Sequence, residues 1–267
     1  MAYATRDGVR TYYEQAGEGA PAFVFVHGWC CDHTFFAPQY EHFGARGSVM
    51  TYDLRGCGRS DRPENYEVAT LADDLAWLCA ELEISKPVVL GHSLGGVVGL
   101  ELAVRHPSLP GAVVAVDPGP FDPLPESREA FVDLAARIEN PAEEDPRQAY
   151  VPALFRPSDD QERAKRIADT MCAVPRSIAA AQLNGYLRWD GVAALTACTV
   201  PLLVLMPKTG GSNDPARLLA LKPDLHVGVT VGAGHFHQLD ADEQVTPMIE
   251  RFVRETTESR AESRTHD

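Results

Sequence analysis

The sequence predicts an α/β fold: a mostly parallel, eight-stranded twisted sheet with helices on both faces and a helical cap inserted in the middle of the chain. Three observations carry this. Short apolar runs at 22–26, 88–90, 112–116 and 202–206 have the composition of strands buried on both faces. They alternate with segments of helical periodicity, the pattern that brings parallel strands together through crossover helices. The alternation breaks once, over 121–190, where the chain is charged, proline-rich and helical in pieces.

In chain order, residues 3–16 read as a hairpin turning at Asp7-Gly8. The apolar strand 22–26 ends in His27-Gly28-Trp29, and a helix is expected over 35–43. The strand 48–52 runs into a glycine-punctuated loop, Asp53-Leu54-Arg55-Gly56-Cys57-Gly58-Arg59-Ser60-Asp61. Over 70–82, Leu71, Leu75, Leu78 and Leu82 share one helical face. The strand at 88–90 passes through Gly91-His92-Ser93-Leu94-Gly95-Gly96 into an apolar helix that stops before Pro107. The strand 112–116 ends in Asp117-Pro118. Helices are expected at 128–138, 160–171 and 177–187. After the strand 202–206 comes a short helix at 215–221, with Asp214 as its cap and proline in its first turn. A last strand covers 225–231 and a final helix about 242–254. The expected organisation is a core of 1–120 and 191–256, a cap of 121–190 and a disordered polar tail of 257–267.

A chain of 267 residues, 45% hydrophobic, can bury one large core. No apolar run has the length of a membrane span, and Met1-Ala2-Tyr3-Ala4-Thr5-Arg6 lacks a signal-peptide pattern, so a soluble cytoplasmic protein is expected. The net charge of −14 disfavours nucleic acid and anionic membranes as partners and leaves a small molecule. The six cysteines have no zinc-site spacing; no metal and no cofactor is expected, and most read as buried free thiols.

The chemistry centres on Gly91-His92-Ser93-Leu94-Gly95. A serine in a tight strand-to-helix turn projects its hydroxyl above the sheet edge, and glycines on either side let the backbone pass close. The following helix aims its free N–H groups at negative charge developing beside the serine. A serine hydroxyl needs a base, and His235, in Gly232-Ala233-Gly234-His235 after the last strand, is the candidate.

With His27-Gly28, Asp53-Leu54-Arg55-Gly56, Gly58-Arg59-Ser60, the Ser93 turn and Gly232-Ala233-Gly234-His235 in order, the chain resembles the α/β-hydrolase superfamily over essentially its full length. The resemblance implies Ser93 as nucleophile, His235 as base, and an oxyanion hole from the backbone N–H groups of Leu94 and Trp29. His92 is then expected to turn into the fold, His27 to support its loop, and His237 to line the site or face solvent. Asp53 and Arg55 read as a salt-bridged structural turn.

The third member departs from the commonest pattern. Where an aspartate is usual, this chain has Met206-Pro207-Lys208-Thr209-Gly210-Gly211-Ser212-Asn213-Asp214. Two candidates follow. Asp117 ends a strand, a rigid platform, and is preferred on that ground; Asp214 serves if its loop folds back, and has a sufficient alternative role as a helix cap.

From the cap, Phe121, Leu124, Phe155, Met171, Tyr186, Leu187 and Trp189 are available to a substrate, and Lys208 to a carboxylate. The expected activity is hydrolysis of a carboxylic ester or lactone of a mid-sized apolar substrate through an acyl-enzyme. A serine in the turn argues against epoxide hydrolases and haloalkane dehalogenases, which use aspartate; carbon–carbon bond hydrolases, thioesterases and perhydrolases retain serine. Gly28-Trp29-Cys30-Cys31-Asp32-His33 and the acid at 117 are also similar to cofactor-free dioxygenases of this fold, in which the histidine–acid pair is the base and His33 and Cys30 would line the pocket. A third reading is a non-catalytic receptor on the same scaffold.

Overall fold

The computed structural model describes residues 2–264, with side chains described through 256. Eight strands form one sheet: β1 (Ala2–Arg6), β2 (Val9–Ala16), β3 (Phe23–Val26), β4 (Val49–Tyr52), β5 (Val88–His92), β6 (Ala112–Val116), β7 (Leu202–Pro207) and β8 (His226–Thr230). Their order is β1-β2-β4-β3-β5-β6-β7-β8. The β1–β2 and β2–β4 pairings are antiparallel; all the others are parallel.

Strands β3 to β7 are buried along their whole length, which is why they are apolar without alternation except at Thr51 and His92. Successive side chains still point to opposite faces. Val24 and Val26 of β3 join the core formed by α2 (Val68–Glu81) and α3 (Leu94–Arg105). Phe23 and Phe25 join the opposite core, with Phe43 of α1 (Ala37–Gly44) and Val245, Ile249 and Phe252 of α11 (Asp242–Arg264). Phe25 is wholly buried; a ring so placed contributes about 2–3 kcal/mol of hydrophobic burial. Edge strand β8 remains partly exposed, with Val229 and the following Val231 open to solvent.

Between β6 and β7 lie α4 (Pro125–Glu139), α5 (Arg147–Tyr150), α6 (Gln161–Ala173), α7 (Arg176–Leu187) and α8 (Gly191–Ala197), with a 3₁₀ turn at Pro152–Leu154. Arg147 ties α5 to α6. It is 1% exposed, yet its guanidinium meets Asp145 at 2.7 Å and donates to the carbonyls of Met171, Cys172 and Val174. Those carbonyls end α6, where the helix dipole is negative, so the buried cation is matched on its charge and on its donors. The remaining helices are α9 (Pro215–Leu221) and α10 (His237–Asp240). Elements α5, α8 and α10 span one or two turns and leave no periodic signal; α9 is as short as α8 but shows through its Asp214 cap and first-turn proline. Helix α4 begins at Pro125, three residues before the expected 128, because a proline's missing N–H costs nothing in the first turn.

Helix α11 continues to Arg264, beyond the expected end near 254. The tail expected over 257–267 lies, for all its side chains and for residues 265–267 altogether, outside the described residues. Among the described residues no helix is long and apolar enough to cross a membrane.

Candidate active site

Ser93 stands between β5 and α3 with φ 52° and ψ −116°, a conformation side chains rarely adopt. The surroundings impose it. A Cβ on Gly91 would lie 2.1 Å from the Gly95 carbonyl oxygen, and one on Gly95 would lie 2.1 Å from that of Val26, so both flanks must be glycine. The Ser93 N–H donates to Val116 O at 3.0 Å, tying the turn to β6.

Asp117 follows β6 immediately and is fully buried, itself at φ 35°. Its Oδ2 accepts from His235 Nδ1–H at 2.6 Å, and its Oδ1 accepts from the Ser212 N–H at 3.1 Å. The loop after β7 therefore carries no carboxylate to His235 but clamps the one that does. Asn213 fastens the clamp: its side-chain amide donates to Pro118 O and accepts from the Phe121 N–H, both at 2.9 Å. Asp214 is exposed and accepts from the Ala216 N–H at 2.8 Å, capping α9. Of the two aspartates considered, Asp117 is the one that touches His235.

Three other histidines are buried in this part of the fold. His92 is buried and donates from Nε2 to the His235 carbonyl at 3.0 Å; burial, together with the charge of His235, holds it well below its ordinary pKa. His27 accepts the Leu54 N–H on Nε2 and supports the loop after β4. His237, expected to line the site or face solvent, is instead fully buried against Thr230. Burial pushes its pKa down to about 4, so it is neutral at pH 7 and does not compete as a cation for Asp117.

Ser93 and His235 line one cavity of about 240 Å³. Trp29 and Leu94 line it too. Leu94 opens α3, so its N–H is among the helix donors without an intrahelical acceptor. The backbone before Trp29 runs against the serine turn: a Cβ on Gly28 would sit 3.2 Å from Ser93 Cβ. The Trp29 indole donates to Ala179 O at 2.8 Å, fixing that wall to α7. Phe131, Leu134, Tyr150, Phe155 and Tyr186 supply much of the apolar lining. Burial and the charge of Asp117 raise the Tyr150 pKa, so its phenol stays protonated.

Of the seven cap residues proposed from sequence, Phe155 and Tyr186 reach the cavity. Phe121, Met171, Leu187 and Trp189 pack inside the cap and against the core, and Leu124 is solvent-exposed. Phe131 and Leu134 also line the cavity, and sequence does not mark them: they share a helix face with Ile138, and that spacing reads equally as packing. Lys208 is exposed and outside the cavity wall. The cation on that wall is Arg156, in the irregular segment before α6, where no pattern marks it.

Asp53 and Arg55, expected in a salt-bridged structural turn, are each paired, with residues on other elements and not with one another. Asp53 accepts from the His33 N–H and Nδ1–H, both at 2.8 Å, and from the Arg59 N–H; Arg55 pairs with Asp74 at 2.5 Å. Cys30 is buried, and neither it nor His33 lines the cavity. Burial opposes charge on His33, but the hydrogen bond and charge of Asp53, with Asp32 and Glu14 nearby, raise its pKa above 6.5. A raised folded-state value stabilises the fold in full below pH 6.5 and loses that contribution as pH climbs through the folded pKa. Comparing the native protein with His33→Gln by urea unfolding between pH 5.5 and 9, the stability difference should be largest at the acid end and shrink towards pH 9. A difference that grows with pH would contradict the assignment.

A mostly parallel sheet carrying a serine turn, with a histidine–aspartate pair whose histidine lines the same cavity under a helical cap, defines the class: a hydrolase of the α/β kind. The chain belongs to the alpha/beta hydrolase family, whose model matches residues 23–247. It is 30% identical over 255 residues to 2-(acetamidomethylene)succinate hydrolase of Mesorhizobium japonicum, covering 90% of each chain. Among solved structures it is similar to a thermophilic esterase from Thermogutta terrifontis, solved with malate bound, at 27% identity and a TM-score of 0.81 over 95% of this chain and 97% of that one. It shares its fold with an enol-lactonase from Burkholderia xenovorans at 23% identity and a TM-score of 0.82, covering 95% and 100% of the two chains.

Proposed function

We propose that the protein is a serine hydrolase that cleaves a carboxylic ester or lactone through an acyl-enzyme. The single observation that carries this reading is the 2.6 Å contact of His235 Nδ1 with buried Asp117, on a cavity that Ser93 also lines. With Nδ1–H committed to Asp117, the other ring nitrogen is left free of its proton to act as base. His235 takes the Ser93 proton as Oγ attacks the carbonyl carbon, then returns it to the leaving oxygen; water reverses the sequence and releases the acid. The N–H groups of Leu94 and Trp29 receive the oxyanion. Asp117 fixes the tautomer and stabilises the imidazolium.

The similarity to an esterase, to an enol-lactonase and to a hydrolase of an acetamido-substituted dicarboxylate is consistent with acyl chemistry. The positions of Cys30 and His33, away from the cavity, support hydrolysis over the dioxygenase alternative. A cavity of about 240 Å³ with a largely aromatic wall suits the small to mid-sized substrate expected from sequence. Six free cysteines fit a reducing compartment, in keeping with a cytoplasmic enzyme.

The test uses 4-nitrophenyl acetate and butyrate together with a fluorophosphonate. Turnover is expected on both esters, with stoichiometric labelling of Ser93 by intact-mass and peptide analysis and loss of activity in step with labelling. Labelling elsewhere, or turnover that survives complete labelling of Ser93, would sink the acyl-enzyme reading.

A further inference from the structure

The cavity carries one feature that ester hydrolysis does not require. Arg156 is half-buried on its wall, and none of the residues lining the cavity is an aspartate or glutamate. The Arg156 side chain packs against the loop bearing the base: its Cγ lies 3.4 Å from where a Cβ on Gly234 would be, one residue before His235. Among the described residues its guanidinium forms no ion pair and no hydrogen bond, although this chain of net charge −14 pairs Arg10, Arg55, Arg105, Arg147, Arg188 and Arg217 with carboxylates.

The backbone around Arg156 is held in place while its head is left open. Buried Asp159 accepts the Arg156 N–H at 2.6 Å, and Gln161 donates to the Arg156 carbonyl at 3.2 Å. A guanidinium presents a planar fork of donors matched to a carboxylate. It lines the same cavity as Ser93 and His235, whose other polar groups, on Gln182, Thr209, Ser212, Tyr150 and Tyr186, are all uncharged, so Arg156 is the one full charge on that wall besides the base itself.

We propose that Arg156 is the specificity residue of this site, and that the substrate is an ester or lactone carrying a carboxylate, which the Arg156 guanidinium binds while Ser93 attacks the acyl carbon. The proposal rests on the hydrolase reading for its reaction, but not for its binding step.

The experiment has a kinetic arm and a binding arm. In the first, mono-4-nitrophenyl glutarate is compared with its neutral methyl ester, and 4-carboxyphenyl butyrate with phenyl butyrate, placing the anion on the acyl or the leaving side. The native enzyme should prefer the anionic member of at least one pair, and Arg156→Gln should lower kcat/KM for that member by about 10- to 100-fold, the effect of losing a charge-assisted hydrogen bond. The neutral member should change by less than about threefold, on the same grounds, since it never makes that bond. Arg156→Lys should recover part of the preference. Retained activity on the neutral ester shows that the variant is folded. In the second arm, glutarate binding is measured by calorimetry on the native protein and on Arg156→Gln; binding lost in the variant is expected. No anionic preference in either pair, or a preference that Arg156→Gln leaves intact, overturns the proposal while leaving the hydrolase reading standing. Glutarate binding that depends on Arg156, with no ester turned over, upholds the anion subsite and removes the hydrolase reading instead.

Discussion

Ser93→Ala should abolish ester turnover, lowering kcat by about 10⁴- to 10⁶-fold, the range seen when the nucleophile of such a constellation is removed. The effect is large because no other group lining the cavity is placed to take over as nucleophile: its other hydroxyls belong to Thr209, Ser212 and two tyrosines, and none of these stands at the serine turn. Alanine retains the Cβ, so the turn keeps its φ of 52° and the packing of Gly91 and Gly95 around it. The loss would therefore report on the hydroxyl and not on the fold. KM should change little, and the residual rate should come from the oxyanion donors and from binding. The check is steady-state and pre-steady-state kinetics on 4-nitrophenyl butyrate: the variant should show neither a burst nor a fluorophosphonate adduct. A variant within about tenfold of the native rate would mean that Ser93 only positions substrate, since that loss is far below what removal of a nucleophile produces.

Asp117→Asn should cost about 10⁴-fold in kcat, by analogy with the general effect of replacing the acid that orients a catalytic histidine. Asparagine can still fill the space and meet the Ser212 N–H, but it cannot neutralise an imidazolium. Its amide can also donate to His235, which would favour the tautomer with the proton on the wrong nitrogen. Asp214→Asn should leave kcat within about twofold, because asparagine caps a helix as well as aspartate does. The two variants are measured side by side on the same ester. A collapse with Asp214→Asn and a normal rate with Asp117→Asn would reverse the assignment and require the loop after β7 to refold around His235.

Much of this architecture was legible from short-range pattern. Strand β3 is four consecutive apolar residues because both of its faces are buried, and that composition shows without coordinates. The Ser93 turn was legible for a steric reason, since Gly91 and Gly95 are dictated by contacts of 2.1 Å within the turn and with the neighbouring strand. The cavity wall was not. Phe131 faces the cavity and Ile138 faces the core from the same helix, and nothing in their spacing distinguishes the two. Asp53 and Arg55 look like partners because they are two residues apart, yet each is paired with a residue on another element.

What the sequence determined by itself is therefore local: the alternation of strands and helices, the serine turn, and a histidine after the last strand. These follow from contacts between near neighbours and from burial on one or both faces. Only the tertiary structure decided which aspartate meets His235, because that contact spans 118 positions along the chain. The same holds for the indole of Trp29 on α7, 150 positions away, and for the placing of Arg156 beside Gly234. Such pairings depend on how the sheet order and the inserted helices bring distant segments to one edge, and short-range periodicity carries no information about that.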